Sequence, residues 1–207
     1  MSSTISDIQA RKQALRRELR RCRRNLGPRQ QRLAAQRLYR RLVVSPLFRF
    51  SRTIAFTLAR DGEIDTLPLA RAAWRRGKRC FLPVMSDFGK PRLTFREWRP
   101  GARLRTGRFG IPEPRLGKLR ASRALSLVFL PLVGFDQYCN RLGMGRAYYD
   151  RSFAYLRRTT RTRPALVGLA HECQRTEKLE LAPWDVPLQG IVTDGAWYHP
   201  AGPRNNR

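Results

Sequence analysis

The segment LSLVFLPLVGFDQYCNRLGMGRAYYDR, residues 125–151, contains a strand, a loop and the start of a helix in that order. Its apolar beginning, residues 125–132, predicts a buried strand. Gly143 and Gly145 follow in a loop, and a helix is predicted from Tyr148. This order is typical of an α/β fold whose ligands bind beyond the carboxyl ends of the strands.

The same alternation continues on both sides of this segment. Apolar spacing predicts two N-terminal helices joined at Gly27-Pro28, a third that Thr66 caps and Gly77 ends, and a fourth over Tyr148–Arg158. Further strands are predicted at 53–58, 79–84, 93–98, 165–170 and 191–193, and residues 100–117 are predicted to be a loop. We therefore predict an α/β fold, a mostly parallel sheet with helices on both faces (three-layer, Rossmann-like), preceded by an N-terminal helical pair.

Length and composition limit the class of protein. The chain has 207 residues, 42% of them hydrophobic, which suits one domain; we expect it to span residues 1–200, with a disordered tail at 201–207. The 43 Lys and Arg against 15 Asp and Glu give a formal net charge of +28. A charge of this size favours weak, salt-sensitive adhesion to nucleic acid whatever the function.

Membrane and secreted classes are not supported. The strongest apolar run, residues 125–135, is far shorter than the roughly 20 residues that span a bilayer, and the N-terminus lacks the apolar stretch of a secretory signal. The four cysteines form no C-x-x-C pair, so neither a zinc ribbon nor a disulfide framework is indicated. We expect reduced thiols in a cytoplasmic protein.

The glycine-containing loop after residue 135 has the properties of a phosphate site. Its glycines allow backbone N–H groups to approach an anion, and Arg141 and Arg146 can add charge-assisted hydrogen bonds. Asp150 could hold a magnesium ion beside the phosphates. The pattern is neither a P-loop nor a dinucleotide fingerprint. On these grounds alone, a purely structural turn with Tyr148 and Tyr149 in the core is equally compatible with the sequence.

A signature segment and four further motifs, all in order, give the chain a resemblance to a known family. Phe135, Asp136, Arg141, Leu142, Gly143, Gly145, Tyr148, Tyr149 and Asp150 match the signature of the 5-formyltetrahydrofolate cyclo-ligase (5,10-methenyltetrahydrofolate synthetase) family. The segments 12–19, 61–66, 109–114 and 184–193 resemble its opening helix, acidic loop, central loop and C-terminal segment. The resemblance covers nearly the whole chain.

This resemblance implies an enzyme that uses ATP and Mg²⁺. The reaction converts 5-formyltetrahydrofolate, which can carry a polyglutamate tail, to 5,10-methenyltetrahydrofolate and releases ADP and phosphate. The formyl oxygen is a poor leaving group until the γ-phosphoryl group of ATP is transferred to it; N10 then closes the ring. Such a site depends on positioning and charge neutralisation more than on a protein nucleophile. We expect a monomer that binds this small-molecule substrate and does not associate with a membrane.

The resemblance also implies roles for individual residues. The implied ATP contacts are Lys12, Arg16, Arg141, Leu142, Gly143, Met144, Gly145, Arg146, Ala147, Tyr148 and Tyr149, with Arg146 as the phosphate stabiliser. The implied substrate contacts are Leu58, Glu63, Phe109 and Tyr148, and the implied magnesium ligands are Asp150 and Asp185. Glu63 could accept two N–H groups of the pterin edge, and Phe109 could stack on the pterin.

Each of these assignments has a plainer alternative. Lys12 and Arg16 lie four residues apart, hence on one helix face, which could be a solvated basic face shared with Arg20 and Arg23. Glu63 could be a capping acid ahead of the next helix, and Phe109 a core aromatic.

Two positions depart from the family pattern. Ala147 replaces the last glycine of Gly-x-Gly-Tyr-Tyr-Asp, so the loop must either adopt a compatible backbone angle there or accept strain. Trp184 stands where the family commonly has His before Asp185.

Two other functions fit parts of the sequence. The net charge favours a nucleic-acid-binding protein, although the arginines are spread along the chain without a known binding signature. A different phosphoryl-transfer enzyme on the same fold is the other alternative. His171-Glu172-Cys173 lacks the P-C-x-x-C partner of zinc deaminases, so His171 is predicted to be a hydrogen-bonded structural residue.

Overall fold

The architecture is given by a computed structural model that describes residues 5–85, 92–158 and 163–200. The predicted tail at 201–207 lies outside these ranges. The helices are α1 (Ile5–Arg24), α2 (Pro28–Val43), α3 (Pro46–Phe50), α4 (Leu67–Arg75) and α5 (Tyr148–Phe153). The strands are β1 (Thr53–Ala55), β2 (Arg79–Met85), β3 (Leu93–Glu97), β4 (Leu104–Thr106), β5 (Pro112–Pro114), β6 (Leu119–Arg120), β7 (Leu127–Pro131), β8 (Gly134–Phe135), β9 (Arg141–Leu142), β10 (Ala165–Leu169), β11 (Gly190–Val192) and β12 (Trp197–Tyr198).

Eight of these strands form the main sheet, in the order β12-β11-β10-β7-β1-β2-β3-β6. The five central strands, β11 to β2 in that order, run parallel. The edge strands β12, β3 and β6 pair antiparallel to their neighbours. The predicted mostly parallel sheet is therefore confirmed, and the antiparallel edge strands were not anticipated.

Helices cover both faces of this sheet, as predicted. On one face α2, α3 and α4 pack a buried cluster that includes Leu38, Phe48 and Phe129. On the other face α5 contributes Phe153 to a second cluster with Phe95. Apolar side chains alternate between the two clusters along each central strand, which explains the continuous apolar runs in the sequence.

Local signals fix most helix ends but not all. Pro28 opens α2, and Gly77, at φ +66°, follows the end of α4, both as predicted. Thr66 is the N-cap residue of α4, as predicted, but its side chain does not form the cap hydrogen bond. Its hydroxyl donates to the carbonyl of Thr57 at 2.6 Å, and Asp65 Oδ1 accepts from the N–H of Leu67 at 2.9 Å instead.

Several boundaries differ from the sequence prediction. Residues 100–117 are not simply a loop, because β4 and β5 form a short antiparallel hairpin there. The helix predicted over 148–158 is α-helical only to Phe153 and continues as a 3₁₀ helix over Ala154–Arg158. None of the helices in the described ranges has the length and apolar character needed to cross a bilayer.

Candidate functional site

Three parts of the chain meet at one edge of the sheet. β1 and β7 are parallel neighbours, so the loops that follow them leave at the same edge. α1 lies across both loops: Arg16 Nε donates to the Gly143 carbonyl at 2.8 Å, and Arg23 donates to the Leu132 carbonyl at 3.1 Å. The structure thus brings together the N-terminal helix, the acidic loop and the glycine loop, which the sequence places far apart.

The glycine loop is built on a buried carboxylate. Asp136, fully buried after β8, accepts hydrogen bonds from the backbone N–H groups of Tyr138, Asn140 and Leu179 at 2.9–3.0 Å and from the Asn140 amide at 2.7 Å. These bonds satisfy the carboxylate and fix the turn between β8 and β9. The loop of residues 143–147 then extends from this rigid base.

Ala147 keeps the backbone conformation that glycine would adopt. Its φ of +47° and ψ of +27° lie in the left-handed region, and Gly145 is at φ +84°. Alanine reaches this region only at a cost of about 1 kcal/mol or more. The loop has therefore accepted strain at Ala147 directly before α5.

The basic face of α1 borders this loop. Arg16 is half-buried, and a Cβ placed on Gly145 would lie 3.6 Å from its Cζ. Burial lowers the pKa of Arg16, but a guanidinium starts so high that it stays charged. Lys12, one turn earlier, is also half-buried. Arg16 consequently lies beside the backbone that was predicted to bind phosphate, and Lys12 follows it on the same helix face toward the N-terminus of α1.

The next turns of α1 hold the acidic loop. Arg20 and Arg23 bond Asp61 Oδ2 at 2.8 and 2.9 Å, and Arg24 also bonds this carboxylate. Arg23 is only 1% exposed, so the alternative of a solvated basic face is wrong for this residue. Burial alone would raise the pKa of Asp61, but the three arginines outweigh it and lower the pKa from 3.8 to about 2.

Glu63 lies in a different environment two residues later. Burial raises the pKa of Glu63, while the Arg23 guanidinium, 3.6 Å away, opposes that rise. Its Oε2 accepts from the backbone N–H of Arg60 at 3.3 Å. Burial raises the pKa of the Tyr149 phenol, and the negative charge of Glu63 raises it further. Glu63 is therefore held beside Arg23 of α1 and the backbone of Arg60, while Leu58 packs against the first core cluster.

The two predicted magnesium ligands lie close together. Asp150 Oδ1 forms an ion pair with Arg141 and accepts from the N–H of Val186 at 3.1 Å, which places it beside Asp185. Asp185 Oδ2 accepts from the N–H of Ala182 at 2.8 Å. Arg141, 8% exposed, also donates to the Val186 carbonyl, so it ties the glycine loop to the C-terminal segment.

The central loop adds an aromatic to the cleft. Phe109 is 42% exposed, so it is not a core aromatic, and its ring meets that of Tyr148 edge-on with centroids 6.3 Å apart. Arg60 Nη1 donates to the Phe109 carbonyl at 2.9 Å. The guanidinium of Arg146 lies over the Phe109 ring, with Cζ 3.6 Å from the centroid.

The remaining residues of this region are either packed against the core or exposed. Leu142 is buried against Leu19, so only its backbone can reach a ligand, whereas Met144 is 52% exposed. Tyr149 stacks on Phe153 and is half-buried, as is Tyr148. The two tyrosines thus pack on the core and also border the candidate site. The sequence had left a structural turn and a ligand-binding loop as alternatives, and this placement is compatible with both.

Two organising arginines, Arg23 and Arg60, were not singled out from sequence as site residues. Arg23 lies seven residues after Arg16, a helical spacing that places both on one face of α1, and this was the available signal. Nothing in the sequence around Arg60 marks it as the residue that holds Phe109.

A separate cavity of about 400 Å³ lies beyond β10 and β11. Its lining includes Leu26, Leu33, Arg37, His171 and Asp194. His171 is 1% exposed and, within the described residues, neither ring nitrogen has a hydrogen-bond partner. His171 is thus buried, as expected of a structural residue, although its ring forms no hydrogen bond of normal geometry with the described part of the chain. Burial lowers the pKa of His171, and the Asp194 carboxylate and the Gly62 backbone oppose that fall. No cluster of three or more His, Cys, Asp or Glu suited to a metal occurs in residues 5–85, 92–158 and 163–200.

Comparison with known proteins places this geometry in context. The model of the 5-formyltetrahydrofolate cyclo-ligase family matches residues 8–194. The chain is 41% identical to the 5-formyltetrahydrofolate cyclo-ligase of Escherichia coli K12 over 178 residues, which cover 84% of this chain and 96% of that protein. The mouse cyclo-ligase is 26% identical over 196 residues, 89% of this chain and 94% of its own. The solved 5,10-methenyltetrahydrofolate synthetase of Aquifex aeolicus superposes with a TM-score of 0.77 at 28% identity, covering 95% of this chain and 96% of that one.

Proposed function

The chain belongs to the 5-formyltetrahydrofolate cyclo-ligase family, and on this premise we propose that it converts 5-formyltetrahydrofolate to 5,10-methenyltetrahydrofolate at the expense of ATP. One observation carries the proposal for this site. At the carboxyl edge of the sheet, α1 contacts both loops, because Arg16 donates to the Gly143 carbonyl at 2.8 Å and Arg23 lies 3.6 Å from the Glu63 carboxylate. Cations beside a glycine loop suit a triphosphate, and a carboxylate held by the same helix suits the N–H groups of a pterin.

The reaction has two bond-forming steps. The formyl oxygen takes the γ-phosphoryl group from ATP, the bond to the β-phosphate oxygen breaks, and ADP leaves. N10 then attacks the activated formyl carbon, and loss of phosphate and of the N10 proton gives the methenyl bridge. Neither step needs a protein nucleophile, so the site must align two ligands and neutralise phosphate charge.

On the nucleotide side, α1 and the glycine loop share the work. Lys12 and Arg16 pair with the phosphates, and the backbone N–H groups of residues 143–147 complete the cradle. Arg146 is exposed and its side chain can reach a phosphate as the stabiliser. Arg141 contributes indirectly, since its guanidinium is committed to Asp150 and the Val186 carbonyl.

The residues at Asp150 and Asp185 fit a magnesium ion. Mg²⁺ in phosphoryl-transfer sites is held by one or two carboxylates together with substrate phosphates and water, so no larger acidic cluster is required. Within the described residues, Oδ2 of Asp150 and Oδ1 of Asp185 accept no hydrogen bond. When bound, the ion would neutralise charge on the transferring phosphoryl group.

On the folate side, Glu63 accepts the pterin N–H groups while Leu58 and Tyr148 border the ring. The desolvation that raises the pKa of Glu63 is relieved when pterin N–H donors pair with the carboxylate, because hydrogen bonds favour the charged form. The exposed ring of Phe109 offers a face for stacking. ATP consumption and four free thiols are both compatible with the cytoplasmic location that we expect.

The experiment follows the near-ultraviolet absorbance of the methenyl product with 5-formyltetrahydrofolate, ATP and Mg²⁺. We expect turnover by the wild-type chain and at least about tenfold less for Asp150→Asn, with the Mg²⁺ concentration for half-maximal rate increased. Asp65→Asn is the matched control, because asparagine caps α4 as well as aspartate does. Circular dichroism and the urea midpoint verify that Asp150→Asn is folded. Absence of wild-type turnover contradicts the function, and an unchanged Mg²⁺ dependence in Asp150→Asn contradicts the metal assignment.

A further inference from the structure

The contact between Arg146 and Phe109 occupies the face that a planar ligand would use. A separation of 3.6 Å between guanidinium carbon and ring centroid is van der Waals contact, so the cation lies flat against the ring. Arg108 also approaches the ring, but at 5.3 Å. Both Arg146 and Phe109 are exposed residues, so this pairing is not imposed by burial in the core.

The backbone at each partner is held independently of the side-chain contact. The Phe109 carbonyl accepts from Arg60 Nη1, and Phe109 itself is at φ +58°. The Arg146 carbonyl accepts from Arg151, whose guanidinium lies 5.4 Å over the Tyr148 ring. The Arg146 side chain can therefore leave the ring by rotation alone, with both loops staying in place.

We propose that Arg146 is a positioning residue that covers the stacking face of Phe109 until the pterin of the substrate displaces it, and that the released guanidinium then pairs with the triphosphate. This inference rests on the proposed function. It assigns Arg146 a second task besides phosphate binding, which is to link the folate side of the cleft to the nucleotide side.

The exchange makes the binding of the two ligands cooperative. Each ligand must break the Arg146–Phe109 contact when it binds alone. Folate breaks it because the pterin needs the face of the Phe109 ring, and ATP breaks it because the phosphates need the Arg146 guanidinium. The second ligand binds without that cost. Its affinity should rise about two- to five-fold, the factor expected for a cation–π contact at an exposed site. Because binding linkage is reciprocal, each ligand should enhance the other by the same factor.

Isothermal titration calorimetry can measure this coupling. 5-Formyltetrahydrofolate is titrated into the protein with Mg²⁺, in the absence and in the presence of the non-hydrolysable analogue adenosine 5′-(β,γ-imido)triphosphate. The wild type should bind folate about two- to five-fold more tightly when the nucleotide analogue is present. Arg146→Ala should bind folate more tightly by that same factor without nucleotide, and should show no coupling.

Two further variants keep the test decisive. Phe109→Leu removes the ring but keeps Arg146, and should also abolish coupling. Arg108→Ala, the matched control, should retain it. Equal or weaker folate binding by Arg146→Ala, or coupling that persists in either Arg146→Ala or Phe109→Leu, overturns the inference. Normal wild-type turnover without coupling refutes this inference alone, whereas a wild type that neither binds folate nor turns over refutes the proposed function.

Discussion

Replacing Asp61 by asparagine tests how firmly α1 holds the acidic loop. In the folded protein the three arginines of α1 keep the pKa of Asp61 at about 2, against 3.8 for the unpaired side chain. This difference corresponds to about 2 kcal/mol of folding free energy at pH 7. The uncharged amide would also leave Arg23, which is 1% exposed, without its main ionic partner, and that adds to the loss. We expect Asp61→Asn to lower the free energy of unfolding by about 2–4 kcal/mol at pH 7.

The pH dependence identifies the cause. Because the folded-state pKa of Asp61 is depressed, its stabilisation is complete above the ordinary value of 3.8 and disappears as the pH falls through about 2. The carboxylate contribution should change little from pH 7 to pH 4 and fall to about half at pH 3. Asp65→Asn serves as control, since its side chain caps α4 rather than joining the arginine cluster.

The assay is urea unfolding followed by circular dichroism at pH 7, 4 and 3, with wild type and both variants at one ionic strength. The stability gap between wild type and Asp61→Asn should narrow between pH 4 and pH 3. A gap of constant size across this range would refute the reasoning, because it would mean that packing of the loop, and not the ionised carboxylate, accounts for the loss.

Three further substitutions test other parts of the site. Lys12→Ala should raise the apparent KM for ATP more than the apparent KM for folate. Arg17→Ala, on the exposed side of α1, is the control and should change neither KM. A larger effect of Lys12→Ala on the KM for folate would assign this end of α1 to the anionic tail of the folate. Ala147→Gly should raise the free energy of unfolding by about 1 kcal/mol in urea titration, because it removes the left-handed strain, and a destabilised variant would contradict the backbone angle. Gly62→Ala should lower the free energy of unfolding by about 2 kcal/mol, since its Cβ would lie 2.8 Å from the Arg23 carbonyl oxygen at φ +75°; wild-type stability would exclude that close approach.

The fold was largely predictable because the apolar signals are strong and local. The runs at 125–132 and 165–170 are central strands, and such strands are buried on both faces, which removes polar residues from them. The short strands at the edge of the main sheet and in the β4–β5 hairpin were less predictable. β12 has two residues and β4 three, so pairing with a neighbour defines them more than any periodicity does. The N-cap position of Thr66 was predicted correctly, but the cap hydrogen bond comes from Asp65, one residue earlier, which offers the same capping chemistry.

The motifs predicted which segments form the candidate site, and the structure brings the N-terminal helix, the acidic loop and the glycine loop together, but the bonds between them were not predicted. Glycines and acids at strand ends mark a ligand loop, yet composition does not reveal which cation meets which carboxylate. Asp61 and Glu63 are two residues apart, and only the structure distinguishes a carboxylate held by three arginines from one whose pKa is raised by burial. The Arg146–Phe109 contact joins residues 37 positions apart through side chains alone, and no sequence pattern encodes it.

The position of α1 has a consequence for how the chain matures. α1 precedes both loops in the chain, and its bonds run to Asp61 and to Gly143, 127 residues beyond Arg16. It cannot complete these long-range contacts until residue 143 has left the ribosome, so α1 should dock after the strands that lie between it and the glycine loop. The candidate site is consequently completed only when α1 closes over loops that are made after it.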